Sequence, residues 1–286
     1  MLQIENEKID VLICVAEGDL GDIYEYCIYA CMKNFKPLNH LYVVSPNSEK
    51  TKRFHIDRGL FVEKIKFLDD VDVISQACNH YPGWYKQQMI KLRADSICST
   101  RFICCLGSDA IILKPVYYDM LIKDEKAYLY YNRYRMPSIH LEYERTRLDN
   151  ISKILQTTPK RSYMIGDFIM ELMIFDRIYL NELMAHLYDL HGSEFFDKYA
   201  NNIYANLQQK TMFGEWSLYS VFVLDVLKEQ VPLKNANNQY MTHLHSPADL
   251  KDYDYSSVVA HFVDKNFDKN EISARLEHIL GIRGDK

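Results

Sequence analysis

Short, wholly apolar runs alternate along the chain with longer segments in which apolar residues recur every three or four positions. Residues 10–16 (DVLICVA) are β-branched or apolar almost throughout, which predicts a strand buried on both faces. The turn EGDLGD carries Gly18 and Gly21 and leads into a helix over about 22–34, with Ile23, Cys27, Ala30 and Cys31 on one face. Pro37 lies just past its end. Residues 40–45 predict a second strand and 61–67 a third. This strand–helix–strand order predicts an α/β fold with a mixed, mostly parallel, Rossmann-like sheet flanked by helices.

A helix follows over about 84–99, with Tyr85, Met89, Leu92 and Ile97 as its apolar side. Gln88, Lys91 and Asp95 lie three and then four apart and share another face. Residues 102–106 (FICCL) predict a buried strand that stops at Gly107-Ser108-Asp109, and 110–113 resume the apolar run. Further on, 126–131 predict a strand and 140–156 a helix with Leu148, Ile151 and Leu155 buried. Two apolar runs follow around Gly166-Asp167 and Glu171, then a helix over 180–190 and another from Gly214 to about 227. No repeat or Gly/Ser-rich linker divides the chain, so one domain over 1–286 is expected, with 251–286 as a C-terminal extension.

Composition narrows the chemistry. Glycine supplies 10 of 286 residues, about half the usual ~7%. No G-x-G pair and no G-x-x-x-x-G-K-[ST] occurs, which disfavours the glycine-rich dinucleotide and phosphate loops. A net charge of −5 argues against nucleic acid as a partner. The acidic start has no apolar signal region, and the early apolar run is far too short to span a bilayer. A cytoplasmic location is expected, with at most peripheral membrane association. The seven cysteines include no C-x-x-C pair, and Cys14, Cys27, Cys31, Cys98, Cys104 and Cys105 sit among apolar neighbours, as reduced core thiols do.

Four groups of residues carry candidate chemistry. Asp109 follows a buried strand, where parallel sheets bind ligands, and is placed either to hold a divalent cation on phosphate oxygens or to cap its own turn. His243 and His245 form an H-x-H pair whose rings share one side of an extended segment, either as metal ligands or as surface histidines. Glu215 opens a helix, either as a general base or as a first-turn acid complementing the helix dipole. Asp167 and Glu171 are rival carboxylates in a segment that otherwise reads as buried. Lys91 is placed to reach a phosphate and Gln88 to hydrogen-bond ligand hydroxyls, against a default of a solvated helix face. The tyrosines of YLYYNRYR fit either a sugar-stacking surface or a half-buried strand.

In order along the chain, DVLICVAEGD, GWYKQQMIKLRA, FICCLGSDAIIL, FGEWSLYSVF and THLH cover about residues 10–245. In this arrangement the chain resembles the GT-A class of glycosyltransferases, especially the bacterial families that add sugars to surface polysaccharides. The resemblance implies a nucleotide-sugar donor, a bound Mn²⁺ or Mg²⁺, and transfer to a hydroxyl of a glycan or glycolipid acceptor. It assigns about 1–135 to a nucleotide-binding half and about 136–250 to an acceptor half. The family's metal motif, D-x-D, reads Gly107-Ser108-Asp109 here. Asp109 carries over as metal ligand and Ser108 as part of the donor loop, while the first carboxylate is missing and its ribose contact does not carry over. A late histidine closes the metal shell in many members; His245 is preferred because Pro247 stiffens the next turn, and His243 is the alternative. The loop holding Ala16, Glu17 and Asp19 is expected to meet base and ribose, with Glu17 or Asp19 on a ribose hydroxyl. Two other readings stand beside this one. Gly107 allows a non-catalytic relative that binds a glycan or a protein partner. A nucleotidyltransferase ranks last, because EGDLGD lacks the basic residue its first loop needs.

Overall fold

Six consecutive buried residues, Ile9–Cys14, form strand β1 at the centre of a five-stranded sheet. A strand with neighbours on both edges and helices on both faces has no solvated side, which is why its sequence is apolar without alternation from Val11 to Cys14. The computed structural model describes residues 7–75, 78, 83–132, 139–168, 170–193, 195, 214–236, 241–244, 259–262, 276–278 and 280–281. After β1 come α1 (Asp22–Asn34), β2 (Leu38–Ser45), α2 (Ser48–Asp57), β3 (Ile65–Asp69), α3 (Gly83–Leu92), β4 (Phe102–Gly107) and β5 (Ala110–Ile112). They are followed by α4 (Ile139–Ile154), β6 (Leu172–Asp176), α5 (Arg177–His191), α6 (Glu215–Val221), β7 (Met241–Leu244) and β8 (Val259–Phe262).

The main sheet runs β3-β2-β1-β4-β6, with four parallel strands and β6 antiparallel at its edge. The fold is therefore a mixed α/β sheet, mostly parallel and flanked by helices. Alternate residues of each strand enter opposite layers. Val11, Ile13, Cys104 and Leu106 pack with Cys27, Ile28 and Cys31 of α1. Leu12, Cys14, Cys105 and Met173 pack on the other face with Met89 and Leu92 of α3 and with Trp216 and Leu218 of α6.

Several elements depart from the expected bounds. The helix expected over 84–99 ends at Leu92, and Ala94–Ile97 form a separate short turn of helix. At the break, Arg93 donates from Nη1 to the Tyr188 hydroxyl at 2.8 Å, a tertiary contact that local propensity does not encode. The strand expected over 126–131 divides into Lys126–Ala127 and Leu129–Tyr131, the second pairing in parallel with Leu233–Asn235. Tyr130 is buried there and donates its hydroxyl to the Met120 carbonyl at 2.6 Å. Lys234 lies over the rings of Tyr128 and Tyr130. The helix expected to reach 227 stops at Val221 and continues as a π-turn, Phe222–Val226.

Part of the expected C-terminal extension is built into the body of the fold. Strand β8 lies between β7 and β5, with His243 opposite His261 and His261 opposite Ala110. Leu276 and Leu280 are buried in the layer that contains α1. No helix among the described residues is long and apolar enough to cross a membrane.

Candidate functional site

The carboxyl ends of β1 and β4 meet where Cys14 pairs in register with Gly107. In a parallel sheet this edge is where ligands bind, because the strand ends open onto a crevice between loops. Five residues singled out from the sequence converge there.

Lys91, in the last turn of α3, points under the sheet edge, and its ammonium lies 2.9 Å from Glu215 Oε1. The two side chains are only 7% and 3% exposed. The ring of Trp216 covers the ammonium, with 4.4 Å from Nζ to the ring centroid. Burial works to lower the Lys91 pKa, but the negative charge of Glu215, with a smaller contribution from Glu171, outweighs it and holds the ammonium above its ordinary value. Gln88, one turn earlier on α3, accepts the Glu215 backbone N–H on Oε1 at 3.0 Å and so caps the start of α6. Cys14 borders the same space, and burial pushes its thiol up to about 12, so it stays protonated.

Gly107 ties this cluster to Asp109 and Glu171. Its N–H donates to the Glu171 carbonyl at 2.9 Å, and its own carbonyl accepts from Cys27 Sγ at 3.4 Å. A Cβ on Gly107 would stand 3.1 Å from Asp109 Oδ1 and closer still to Glu171 Oε2. The two carboxylates therefore border one small space, and Glu171 also acts electrostatically on Lys91. Ser108 lies in the two-residue turn between β4 and β5.

The remaining candidates lie elsewhere. Ala16 lines an open cleft together with Cys14, Ser45, Pro46, Gly83 and an ion pair of Lys86 with Asp70 at 2.6 Å. Asp19 closes a 3₁₀ turn by donating its N–H to the Ala16 carbonyl at 3.0 Å. The Glu17 carboxylate meets Lys50 at 2.6 Å on the surface. Asp167 joins a separate cluster, with Arg147 Nη1 3.3 Å from Asp167 Oδ1 and 2.7 Å from Glu144 Oε2. Burial, and then the Asp167 charge, push Glu144 up to about 8. His243 is described for its backbone alone, and His245 lies outside the described residues.

Four residues near these clusters escaped the sequence reading. Glu144 and Arg147 show as an ordinary helical i, i+3 pair, and only their burial against Asp167 changes their chemistry. Asp70 sits in an acidic run that reads as solvated. The backbone of His261 comes beside Ala110, next to the β4–β5 turn, only through strand pairing.

The match to protein families covers residues 24–266 and is to the family of unknown function DUF6492. The chain belongs to that family. No curated protein matches it in sequence. Among solved structures, the galactosyltransferase LgtC, determined with donor and acceptor sugar analogues, superposes with a TM-score of 0.51 at 10% identity, covering 96% of each chain. The glycosyltransferase GlyE of Streptococcus pneumoniae TIGR4 superposes with a TM-score of 0.52 at 10% identity, over 96% of this chain and 62% of GlyE. The chain thus spans less than two thirds of GlyE. At this identity the likeness shows the fold, which is that of GT-A glycosyltransferases.

The resemblance read from the sequence implies a divalent metal. Among the described residues, no three His, Cys, Asp or Glu side chains are grouped to hold one. Two hard oxygen donors, Asp109 and Glu171, do border a space that a glycine leaves open, and carboxylate oxygens suit Mg²⁺ and Mn²⁺.

Proposed function

We propose that the chain is a glycosyltransferase that moves a sugar from a nucleotide-sugar donor to a hydroxyl of a glycan or glycolipid acceptor, in surface-glycan synthesis on the cytoplasmic side. One observation carries this reading. Lys91, Glu215, Gln88, Asp109 and Glu171, drawn from four separate segments, converge on the carboxyl edge of a GT-A sheet.

The donor diphosphate is assigned to the space above Gly107, with its nucleoside toward Ala16 and the cleft beside β2. Asp109 would hold Mn²⁺ or Mg²⁺ on the diphosphate, with His243 or His245 as the late ligand. A bound cation supplies Lewis-acid charge for the departing nucleoside diphosphate. Lys91 adds a fixed positive charge that needs no reorganisation, because Glu215 and Trp216 already hold it in place. In this reading Glu215 positions Lys91: taking up a proton would leave a buried ammonium without its counter-charge. Of the other two carboxylates, Asp167 belongs to the cluster that holds an exchangeable proton near neutral pH, which suits acid–base work.

Calorimetry with uridine and guanosine diphosphate, with Mn²⁺ and with chelator, tests the reading. Metal-linked binding of one nucleotide, lost in Asp109→Ala, is the expected result. Absence of binding to either nucleotide under both conditions would overturn it.

A further inference from the structure

We propose that Glu171 supplies, from the neighbouring strand, the carboxylate that position 107 lacks, so that Asp109 and Glu171 together hold the divalent cation of the donor site. This inference rests on the glycosyltransferase reading above and assigns one of its residues.

The argument begins with register. Strands β4 and β6 run antiparallel, with Leu106 opposite Leu172 and Phe102 opposite Asp176. One step beyond Leu106, the Gly107 N–H donates to the Glu171 carbonyl at 2.9 Å, so residues 107 and 171 continue the ladder as a directly opposed pair. Opposed residues on antiparallel strands project to the same face, with Cβ atoms about 5 Å apart. A side chain at 107 and the side chain of Glu171 would therefore compete for one volume.

The glycine resolves that competition. Gly107 is not among the residues with a left-handed backbone, so conformation does not require a glycine there. What it provides is room. The Glu171 carboxylate occupies the place of the absent side chain, close enough to displace any real Cβ, with its Cδ 3.5 Å from that position. Asp109 Oδ1 lies 3.1 Å from the same position. A glutamate is one methylene longer than an aspartate, and that length is what crossing to the adjacent strand takes. The carboxylate is thus retained in space while its residue of origin moves from β4 to the start of β6. The pair also has the donor chemistry a hard divalent cation prefers.

The test separates this inference from the reading it rests on. Mn²⁺ alone is titrated into the full chain and its free-ion signal followed by electron paramagnetic resonance. The proteins are wild type, Glu171→Gln, Gly107→Asp and the double variant Gly107→Asp/Glu171→Ala. Glu171→Gln is expected to weaken Mn²⁺ retention by about tenfold or more. Gly107→Asp alone sets an aspartate against Glu171 and is expected to lower the melting temperature. The double variant returns the carboxylate to β4 and is expected to regain both melting temperature and Mn²⁺ retention. A wild-type chain that retains no Mn²⁺, or a folded Glu171→Gln protein that retains as much as wild type, overturns the inference. A folded double variant that stays as weak as Glu171→Gln also overturns it. Circular dichroism melts of each protein separate loss of the site from loss of the fold. The nucleotide titrations above judge the glycosyltransferase reading independently, because they change the ligand and leave residues 107 and 171 unaltered.

Discussion

Lys91 and Glu215 are 124 positions apart in sequence and 2.9 Å apart in space, each almost wholly buried. A buried pair of this kind contributes little net stability, but breaking it strands one charge. Lys91→Met is therefore expected to cost about 3–5 kcal/mol in urea unfolding. Lys91→Met/Glu215→Leu should recover most of that loss. Trp216 lies over the ammonium, so its fluorescence should shift in the single variant. A single variant as stable as wild type would count against the pair.

Glu144 makes stability fall with pH between about 4.5 and 8. Its carboxyl is held up at about 8 by burial and by Asp167, so the folded state keeps a proton that the unfolded chain releases near 4.5. The stabilisation is full below pH 4.5 and is lost as pH rises through about 8. Unfolding free energy should fall by at least about 1.4 kcal/mol, the worth of one pKa unit, between pH 5 and 9. Glu144→Gln should flatten that decline, and an equal decline in the variant would refute the assignment.

His55 acts at the other end of the scale. It is buried beside Tyr24, whose hydroxyl lies 2.8 Å from Nε2, and burial lowers its pKa to about 4. The unfolded chain takes up a proton below about 6.5 while the folded chain resists it. Stability should therefore drop as pH falls from 6.5 toward 4, by about 3 kcal/mol at most. His55→Phe keeps a ring against Phe67 and Phe54, and should abolish this acid-side dependence in chemical denaturation.

Asp10 is a structural acid at the amino end of β1. Its Oδ1 accepts from Asn39 Nδ2 and the His40 N–H, and its Oδ2 from the N–H and hydroxyl of Ser99 and the N–H of Thr100. Burial alone would raise its pKa, yet these donors together lower it below the usual value. Asp10→Asn is expected to cost about 2–4 kcal/mol at pH 7, since several charge-assisted bonds weaken together. A depressed carboxyl stabilises above its unfolded pKa and loses that contribution as pH falls through its folded value, so the cost should shrink below about pH 4. Parallel melts of both proteins from pH 7 to 3 check the sign.

The sheet was readable wherever a strand is buried on both faces, as with β1 and β4, because nothing but an apolar run fits there. The chemistry was readable as residue types and not as partnerships. Lys91 and Glu215 each stood out, but for separate roles, because a contact across 124 positions leaves no local trace. Gly107 read as a loss, because the residue opposite it is set by the pairing of β4 with β6 and not by spacing along the chain. Strand β8 went unread inside a charged C-terminal stretch, being only four residues long and held by β5 and β7. Arg93 ends α3 although arginine favours helices, because its side chain is taken by Tyr188.

All seven cysteines are buried as free thiols, and for Cys14, Cys27, Cys31, Cys98, Cys104 and Cys105 burial raises the pKa further. Alkylation requires an accessible thiolate, so the native molecule offers these positions almost no chemistry. The strand cysteines Cys104 and Cys105 lie in opposite layers of the central sheet, and a reagent reaches both only when the sheet itself opens. Counting iodoacetamide adducts by intact mass against time therefore makes the chain its own unfolding clock, with no introduced probe.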